Sequence, residues 1–260
     1  SACQSNQLAA DAVVSAVQLI QQFSEFQVSK IISNPNDQRL SPLLAKTFLW
    51  FFNRWAPAYI LPGTYGTSTT PSTISLAWAS PEKVRESISF LITLCLHYNC
   101  YWPQEGQVQE NATLVLLSLA KRGSNLRLGI VSIPQFRQLV IYFCLTCGIR
   151  HSASNEEFEA MVQNKAGNNY QNMNLDVNML RGFHRLPYEI KGKLLTAILT
   201  SCGEKEDEAS CALLNDCLTA LHDAFSSLVN VLATKQMKPD NMDAKEMACL
   251  CISLFDGVAL

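Results

Sequence analysis

Charged side chains are scarce in this chain of 260 residues: they make up 16% of the sequence, against about a quarter in an average soluble domain. The 20 basic and 22 acidic residues nearly cancel, so the chain lacks the positive excess of a protein that coats nucleic acid. Hydrophobic residues reach 48%, enough for a large core. We therefore expect a largely neutral or buried surface and no direct binding of nucleic acid.

The few charges are unevenly distributed along the chain. Residues 1–155 hold 11 Lys/Arg and 7 Asp/Glu, a net charge of +4, whereas residues 156–260 hold 9 and 15, a net charge of −6. One turn, 204–208, concentrates four carboxylates. A solubilising loop is one interpretation, because charge runs are usually solvated, and a docking site for a basic protein is the other. The candidate docking residues are Glu204, Glu206, Asp207 and Glu208.

Targeting and membrane-spanning segments are missing from the sequence. The first residues have neither a basic start nor a long apolar run, and His97, Asn99 and Pro103 interrupt the longest charge-poor stretch. We expect a soluble intracellular chain with no membrane insertion. Because the sequence has no initiating methionine and stops within or just after an apolar helix, we also expect an internal segment of a longer protein.

Strand-like alternation and glycine-rich phosphate loops are also absent, and helical signals take their place. Ser41-Pro42 and Ser80-Pro81 each put a hydroxyl before a proline, the pattern of a helix start. Apolar residues then recur every three or four positions, as they do on one face of a helix. Eight helices are predicted, at 8–32, 42–61, 81–99, 110–122, 134–148, from Pro187, at 211–234 and from Asp243.

The arrangement of these helices predicts the fold class. The chain is expected to be all-α, a HEAT-repeat-like α-solenoid of about four antiparallel helix pairs, with a compact non-repeating helical domain as the alternative. We expect residues 1–260 to form a single segment of a longer solenoid. Long loops are predicted at 63–79 and 150–175, where hydrophobicity is low.

Residues that could carry chemistry are few. Cys144 and Cys147 have the spacing of a zinc or redox pair, and His151 follows. A zinc site needs a second ligand pair, which the sequence lacks, and both cysteines fall on an apolar stripe. The four histidines stand singly, and no serine or cysteine lies in a strained nucleophile turn. We therefore predict reduced core thiols, no catalytic, cofactor or metal site, and no enzymatic activity.

Two stretches resemble a known family. Phe48-Leu-Trp-Phe-Phe-Asn-Arg-Trp55-Ala-Pro-Ala-Tyr-Ile-Leu-Pro62 and Leu180-Arg-Gly-Phe-His-Arg-Leu-Pro187, which leads into Lys193-Leu-Leu-Thr-Ala-Ile-Leu199, are similar to the middle of an exportin of the importin-β superfamily. The resemblance implies a HEAT-repeat receptor that carries folded protein cargo through the nuclear pore with GTP-bound Ran. These stretches are helix-packing motifs, so they transfer no residues that contact a partner.

The resemblance also implies partners and a location. The full-length receptor would bind GTP-bound Ran and nucleoporins and would shuttle between nucleus and cytoplasm. The resemblance further implies export of translation factor 5A and of a Smad protein, and import of Sox-type transcription factors. A HEAT-like scaffold subunit that organises another protein complex is the alternative. A helical enzyme that uses Cys144 and Cys147 is the third hypothesis.

Overall fold

The structure, a computed structural model, describes residues 2–34, 40–54, 81–102, 104–126, 129–167, 175–203, 208–234 and 242–259. Within these ranges all regular structure is helical, and no strand occurs. The helices are α1 (Ala2–Ser33), α2 (Pro42–Arg54), α3 (Pro81–Tyr101), α4 (Gly106–Leu126), a 3-10 helix (Ile130–Ser132), α5 (Pro134–Thr146), α6 (Asn155–Ala166), α7 (Val177–His184), α8 (Tyr188–Cys202), α9 (Glu208–Thr234) and α10 (Met242–Ala259).

Prolines mark the helix starts that the sequence predicted. Pro42, Pro81 and Pro134 are the first residues of α2, α3 and α5, and Pro187 directly precedes α8. Proline fits there because its fixed φ is helical and its missing N–H has no partner in the first turn. At α2 the Ala45 amide donates to the Ser41 carbonyl at 3.1 Å. The all-α prediction is confirmed for the described residues.

The predicted loop at 150–175 is wrong over α6, which occupies Asn155–Ala166. Ser154 and Glu157 form a reciprocal capping box at its start, so two otherwise unpaired backbone N–H groups are bonded. Only Phe158 and Val162 are buried on this helix, and two apolar residues four apart give too weak a period to detect. Residues 63–79, the other predicted loop, lie outside the described residues.

The helices pack in two rows. One row runs α2, α4, α8, α10, and its contacts between α4 and α8 and between α8 and α10 are the most extensive in the described chain. The other row runs α1, α3, α5, α9, and α7 contacts both α3 and α5. Contacts between the rows join α1 with α2, α3 with α4, α5 with α8, α8 with α9, and α9 with α10. Each helix therefore packs mainly on neighbours within its row and across to the other.

Two helix crossings bring backbones together. A Cβ on Gly192 of α8 would lie 2.1 Å from the Ser253 carbonyl oxygen of α10, and one on Gly257 would lie 2.3 Å from the Gly192 carbonyl oxygen. Thr196 donates its hydroxyl to the Gly257 carbonyl at 2.8 Å across the same crossing. At the second crossing, a Cβ on Gly182 would meet the Cys100 carbonyl oxygen at 2.2 Å. Only glycine permits these approaches.

The core side chains follow the apolar spacing of three or four residues with three exceptions. The apolar stripes of α3, α5 and α8 are largely buried. Phe23 of α1, Leu218 of α9 and Val258 of α10 continue such stripes in the sequence, but they are 55%, 52% and 52% exposed. On α9 the buried residues include Cys217, Ala220 and Ala224, whose small size permits close packing and which the more hydrophobic leucines obscure in the sequence pattern.

Large apolar side chains are exposed at both ends of the two rows. On α1 and α2 they are Leu19, Phe23, Phe26, Ile32, Leu43, Leu44 and Trp50. On α9 and α10 they are Leu218, Val229, Ile252, Phe255 and Val258. Among the described helices, none has the length and apolar character needed to cross a membrane.

Candidate functional site

The predicted docking residues are only partly described. Glu208 is the first residue of α9 and is exposed to solvent, whereas Glu204, Glu206 and Asp207 lie outside the described residues. Two further carboxylates of α9, on Asp216 and Asp223, are exposed. The acidic character of this half of the chain therefore continues along α9.

The two cysteines of the Cys-x-x-Cys motif occupy different environments. Cys147 caps the end of α5, with its amide bonded to the Phe143 carbonyl at 2.8 Å, and is 1% exposed. Burial raises the pKa of its thiol to about 12. Cys144 is half-buried and packs against the edge of the core. The core position is thus confirmed for Cys147, whereas Cys144 reaches the surface.

No group of three His, Cys, Asp or Glu side chains suited to a metal ion occurs among the residues that the structure describes. Cys144 instead meets a third cysteine, Cys217 of α9, with 3.9 Å between the two Sγ atoms.

Cys147 should react slowly with thiol reagents. The thiolate is the reactive form, and a thiol with a pKa of about 12 is almost entirely protonated at pH 8. We expect modification of Cys147 by a water-soluble disulfide reagent to be at least about 100-fold slower than that of exposed Cys211 and Cys249. Peptide mapping over time measures these rates, and a urea-unfolded sample serves as the control. Equal rates in the folded protein would contradict the burial of Cys147.

A groove of about 310 Å³ opens between α5, α6 and α9. Cys144, Lys165, Asp216 and Asp223 line it together with apolar side chains of α5 and α9. The Lys165 ammonium donates to the Cys147 carbonyl and lies 3.4 Å from the Cys144 carbonyl. The groove thus combines one half-buried thiol, one cation and two carboxylates. Sequence reasoning missed it because Lys165 belongs to the helix assigned as a loop.

A buried lysine centres a second polar cluster. Lys191 of α8 is 1% exposed and donates to the His184 carbonyl at 2.8 Å. Its Nζ also lies 5.5 Å from the centre of the Tyr188 ring, a distance that permits a cation–π interaction. Burial lowers the pKa of Lys191 to about 7, because a charged ammonium loses hydration in the core.

Glu246 of α10 joins this cluster to the loop before α6. Its carboxylate accepts from the Tyr188 hydroxyl at 2.6 Å, the Ser152 hydroxyl at 2.8 Å and the Ser152 amide at 3.3 Å. Desolvation opposes ionisation of this carboxyl most strongly, yet the hydrogen bonds together lower its pKa. Glu246 therefore stays ionised and ties α8, α10 and the loop together.

Two histidines complete the cluster. His151 stacks on Tyr188 with 4.1 Å between ring centres, and His184 stacks on Phe158 at 4.7 Å. Desolvation, followed by the charge of Lys191, lowers the pKa of His151 to about 4 and that of His184 to about 3. Neither ring nitrogen of His184 has a hydrogen-bond partner among the described residues. Both rings are neutral at pH 7 and serve as packing surfaces.

The hydrogen bonds of this cluster hold its side chains in fixed positions. Ser152 and Tyr188 both donate to Glu246, so the hydroxyls are committed to a carboxylate that holds them in place. Sequence reasoning treated His184 as ordinary and did not single out Lys191, Tyr188 or Glu246. The sequence did contain one indication that Lys191 is buried: it falls on the apolar stripe of α8 between Ile190 and Leu194.

Comparisons with known proteins return nothing: no model of a protein family, no curated protein and no solved structure matches the chain. Inferences about function therefore rest on its residues and their geometry.

Tyr188→Phe should destabilise the protein and raise the pKa of Glu246. The substitution removes the 2.6 Å hydrogen bond to a partly buried carboxylate, a loss of about 1.5–3 kcal/mol for a bond to a charged group. Urea unfolding measures the loss, and NMR titration follows the carboxyl of Glu246. In a double-mutant cycle with Glu246→Gln, the two effects should not add. Additive effects would mean that the two side chains do not interact in solution.

Proposed function

We propose that this chain is a protein-binding scaffold of stacked helix pairs that belongs to an exportin-type nuclear transport receptor. The observation that supports the scaffold best is the packing in two rows, where helices contact their neighbours in the row and across it. Such packing is compatible with a solenoid, in which each repeat contacts only its neighbours. The pairs would be α1 with α2, α3 with α4, α5 with α8, and α9 with α10, with α6 and α7 inserted in the third pair.

Exposed apolar surface at the two ends of the rows also supports a repeat array. A solenoid buries such surface against the next repeat, and large exposed apolar patches on a soluble protein usually mark a contact surface. At one end, Phe255 and Ile252 of α10 are 64% and 61% exposed. At the other end, Leu43 of α2 and Ile32 of α1 are 67% and 66% exposed. Flanking repeats would cover these side chains.

The exportin assignment rests on the two stretches that resemble that family. Leu49 and Phe52 in the first stretch, and Phe183 and Leu186 in the second, are at most 1% exposed, as helix-packing motifs require. Within that family the two stretches resemble exportin-4, and the cargo classes that this resemblance implies, translation factor 5A, Smad and Sox-type proteins, are the ones to test first. The motifs hold the helices together and leave the cargo surface unassigned.

Ran-dependent cargo binding tests the proposal. The intact receptor that contains this segment is immobilised and incubated with purified translation factor 5A, with Ran loaded with either a non-hydrolysable GTP analogue or GDP. An exportin should retain at least about 10-fold more cargo with the GTP form, because Ran and cargo bind cooperatively. Cargo that binds equally in both nucleotide states would favour the scaffold alternative, and absence of Ran binding would reject the exportin assignment.

The acidic segment 204–208 should accelerate binding if it docks a basic partner. Neutralising Glu204, Glu206, Asp207 and Glu208 together to glutamine or asparagine is expected to slow association with Ran or cargo several-fold at low salt, because exposed charge mainly steers encounter. Stopped-flow kinetics at several salt concentrations measures the rate. Neutralising Glu156, Glu189 and Asp256, three exposed carboxylates elsewhere in the same half, is the control. An unchanged association rate with intact helicity would leave the segment a solubilising loop.

A further inference from the structure

The contact between Cys144 and Cys217 brings two thiols together from distant parts of the chain. They lie 73 residues apart in sequence, one on the last turn of α5 and the other in α9, with 3.9 Å between their Sγ atoms. Neither is in a disulfide. A disulfide would bring these two sulfur atoms from 3.9 Å to about 2.05 Å.

The two thiols differ in their access to solvent. Cys144 is half-buried and lines the groove of about 310 Å³, whereas Cys217 is 0% exposed behind it. The hydrogen bond with Cys144, followed by burial, raises the pKa of Cys217 well above its ordinary value, so Cys217 reacts poorly with a free oxidant and depends on its contact with Cys144 to react. An oxidant that enters the groove therefore reaches Cys144 first.

The charges that line the groove disfavour an anionic oxidant relative to a neutral one. Lys165 sits beside the end of α5, and Asp216 and Asp223 line the opposite, α9 side. Two carboxylates against one ammonium give no net attraction for an anion. A small neutral oxidant such as hydrogen peroxide fits the groove and meets no electrostatic repulsion from these charges.

We propose that Cys144 is a peroxide-sensitive thiol and that Cys217 resolves its oxidised form into a disulfide that joins α5 to α9. In the first step, the Cys144 sulfur attacks one peroxide oxygen. An S–O bond forms, the O–O bond breaks, and the leaving hydroxide takes up the thiol proton as water. In the second step, the Cys217 sulfur attacks the sulfenic sulfur. The S–S bond forms, the S–O bond breaks, and hydroxide leaves as water with the Cys217 proton. Two thiols are oxidised by two electrons, and one peroxide is reduced to two waters.

The disulfide would fix one packing arrangement of α5 on α9. A cross-link that closes a loop of this length restricts the unfolded chain strongly, so the oxidised protein should melt roughly 5 °C or more above the reduced protein. The same bond would hold the groove in one shape and remove Cys144 from its lining. The proposal is independent of the exportin assignment, because it rests on the thiol contact alone.

Mass spectrometry after mild oxidation tests the proposal. The reduced chain is treated with about one equivalent of hydrogen peroxide. The expected product has lost about 2 Da, with a Cys144–Cys217 peptide on a non-reducing map, and dithiothreitol reverses both changes. In Cys217→Ala, Cys144 should instead accumulate as sulfenic acid that dimedone traps, and the rise in melting temperature should vanish. Cys144→Ser should give neither product.

Cysteines elsewhere in the chain provide the controls. Cys211→Ser and Cys249→Ser remove exposed thiols and should leave the Cys144–Cys217 peptide unchanged. A disulfide that maps to Cys147 or Cys202 instead, or equal dimedone labelling of Cys144 with and without Cys217, would overturn the proposal. Circular dichroism before oxidation shows whether each variant is folded, and Cys217→Ser replaces Cys217→Ala if the alanine variant is not.

Discussion

Replacing Gly192 with alanine is expected to lower the free energy of unfolding by about 3 kcal/mol or more. The added methyl carbon would lie 2.1 Å from the backbone oxygen of Ser253, well inside contact distance, and no flexible side chain there can move aside. Overpacking of this kind costs about 1–3 kcal/mol when side chains relax, and a backbone obstacle allows less relaxation. The variant must separate α8 from α10, whose contact is the most extensive in the described fold. Urea unfolding followed by circular dichroism measures the effect.

Gly106→Ala is the matched control for this prediction. Gly106 also lies in a helix, as the first residue of α4, but a Cβ there would meet nothing within 4 Å. The control should be neutral or gain up to about 1 kcal/mol, because alanine reduces the freedom of the unfolded chain. A Gly192→Ala variant that is no less stable than wild type, as expected for Gly106→Ala, would show that the α8–α10 crossing tolerates a Cβ.

Lys191→Met is expected to stabilise the protein, and the gain should depend on pH. The wild-type core holds an ammonium whose pKa is lowered from 10.5 to about 7 by burial. Below pH 7 the lysine is charged in both the folded and unfolded states, so the folded protein bears the full desolvation penalty. Methionine of similar length removes that penalty and loses one hydrogen bond, from the ammonium to the His184 carbonyl, which contributes about 1.5–3 kcal/mol for a charged donor. A net gain of about 2 kcal/mol at pH 6.5 is expected.

The gain should shrink as pH rises. Between pH 7 and 10.5 the unfolded wild type binds more protons than the folded form, so wild-type stability increases by up to about 1.4 kcal/mol per pH unit. The advantage of Lys191→Met should therefore fall by about 2–3 kcal/mol between pH 6.5 and pH 9. Lowered pKa values of His151 and His184 act below pH 6.5, outside this window. The raised pKa of Tyr188 acts only above pH 10.

Lys193→Met is the control for Lys191. Lys193 lies two residues further along α8 and pairs with exposed Glu189 at 2.8 Å, so its replacement should change stability by less than about 1 kcal/mol. That small change should be the same at pH 6.5 and pH 9. Urea unfolding at both pH values measures each variant. A pH-independent gain for Lys191→Met would show that Lys191 is hydrated in solution.

The spacing of apolar residues and the positions of prolines predicted most of the helices that the structure describes. The Ser-Pro signal placed the start of α2, and prolines placed those of α3 and α5, because proline geometry is local and requires no tertiary contact. The inward stripe of α5, from Phe136 to Phe143, follows from apolar residues three or four positions apart, which is also a local signal. Helix α6 was not predicted because only Phe158 and Val162 face the core. The Ser154 and Glu157 capping box at its start is nevertheless a pattern that the sequence contains.

The polar clusters were beyond the reach of sequence patterns. Glu246 meets Ser152 across 94 residues and Tyr188 across 58, and no local period encodes such pairings. The sequence did not indicate that Cys217 is buried, because the neighbouring leucines of α9 dominate its apolar pattern. The acidic run at 204–208 was conspicuous in the sequence, yet only Glu208 of its four carboxylates is described. Local signals thus predicted elements, whereas the long-range meeting of polar groups required the three-dimensional structure.

The close approach of Gly192 and Gly257 has a mechanical consequence. Helices separated by a layer of side chains can slide or tilt a little as rotamers change, which is how packed helices shear. Where carbonyl oxygens of one helix lie against the Cα of another, no such layer exists. Rotation of α8 about α10 would force backbone atoms together, so these helices move as one rigid unit. We expect relative movement of helices instead where side chains and open grooves lie between them, as between α5 and α9 and between α1 and α3.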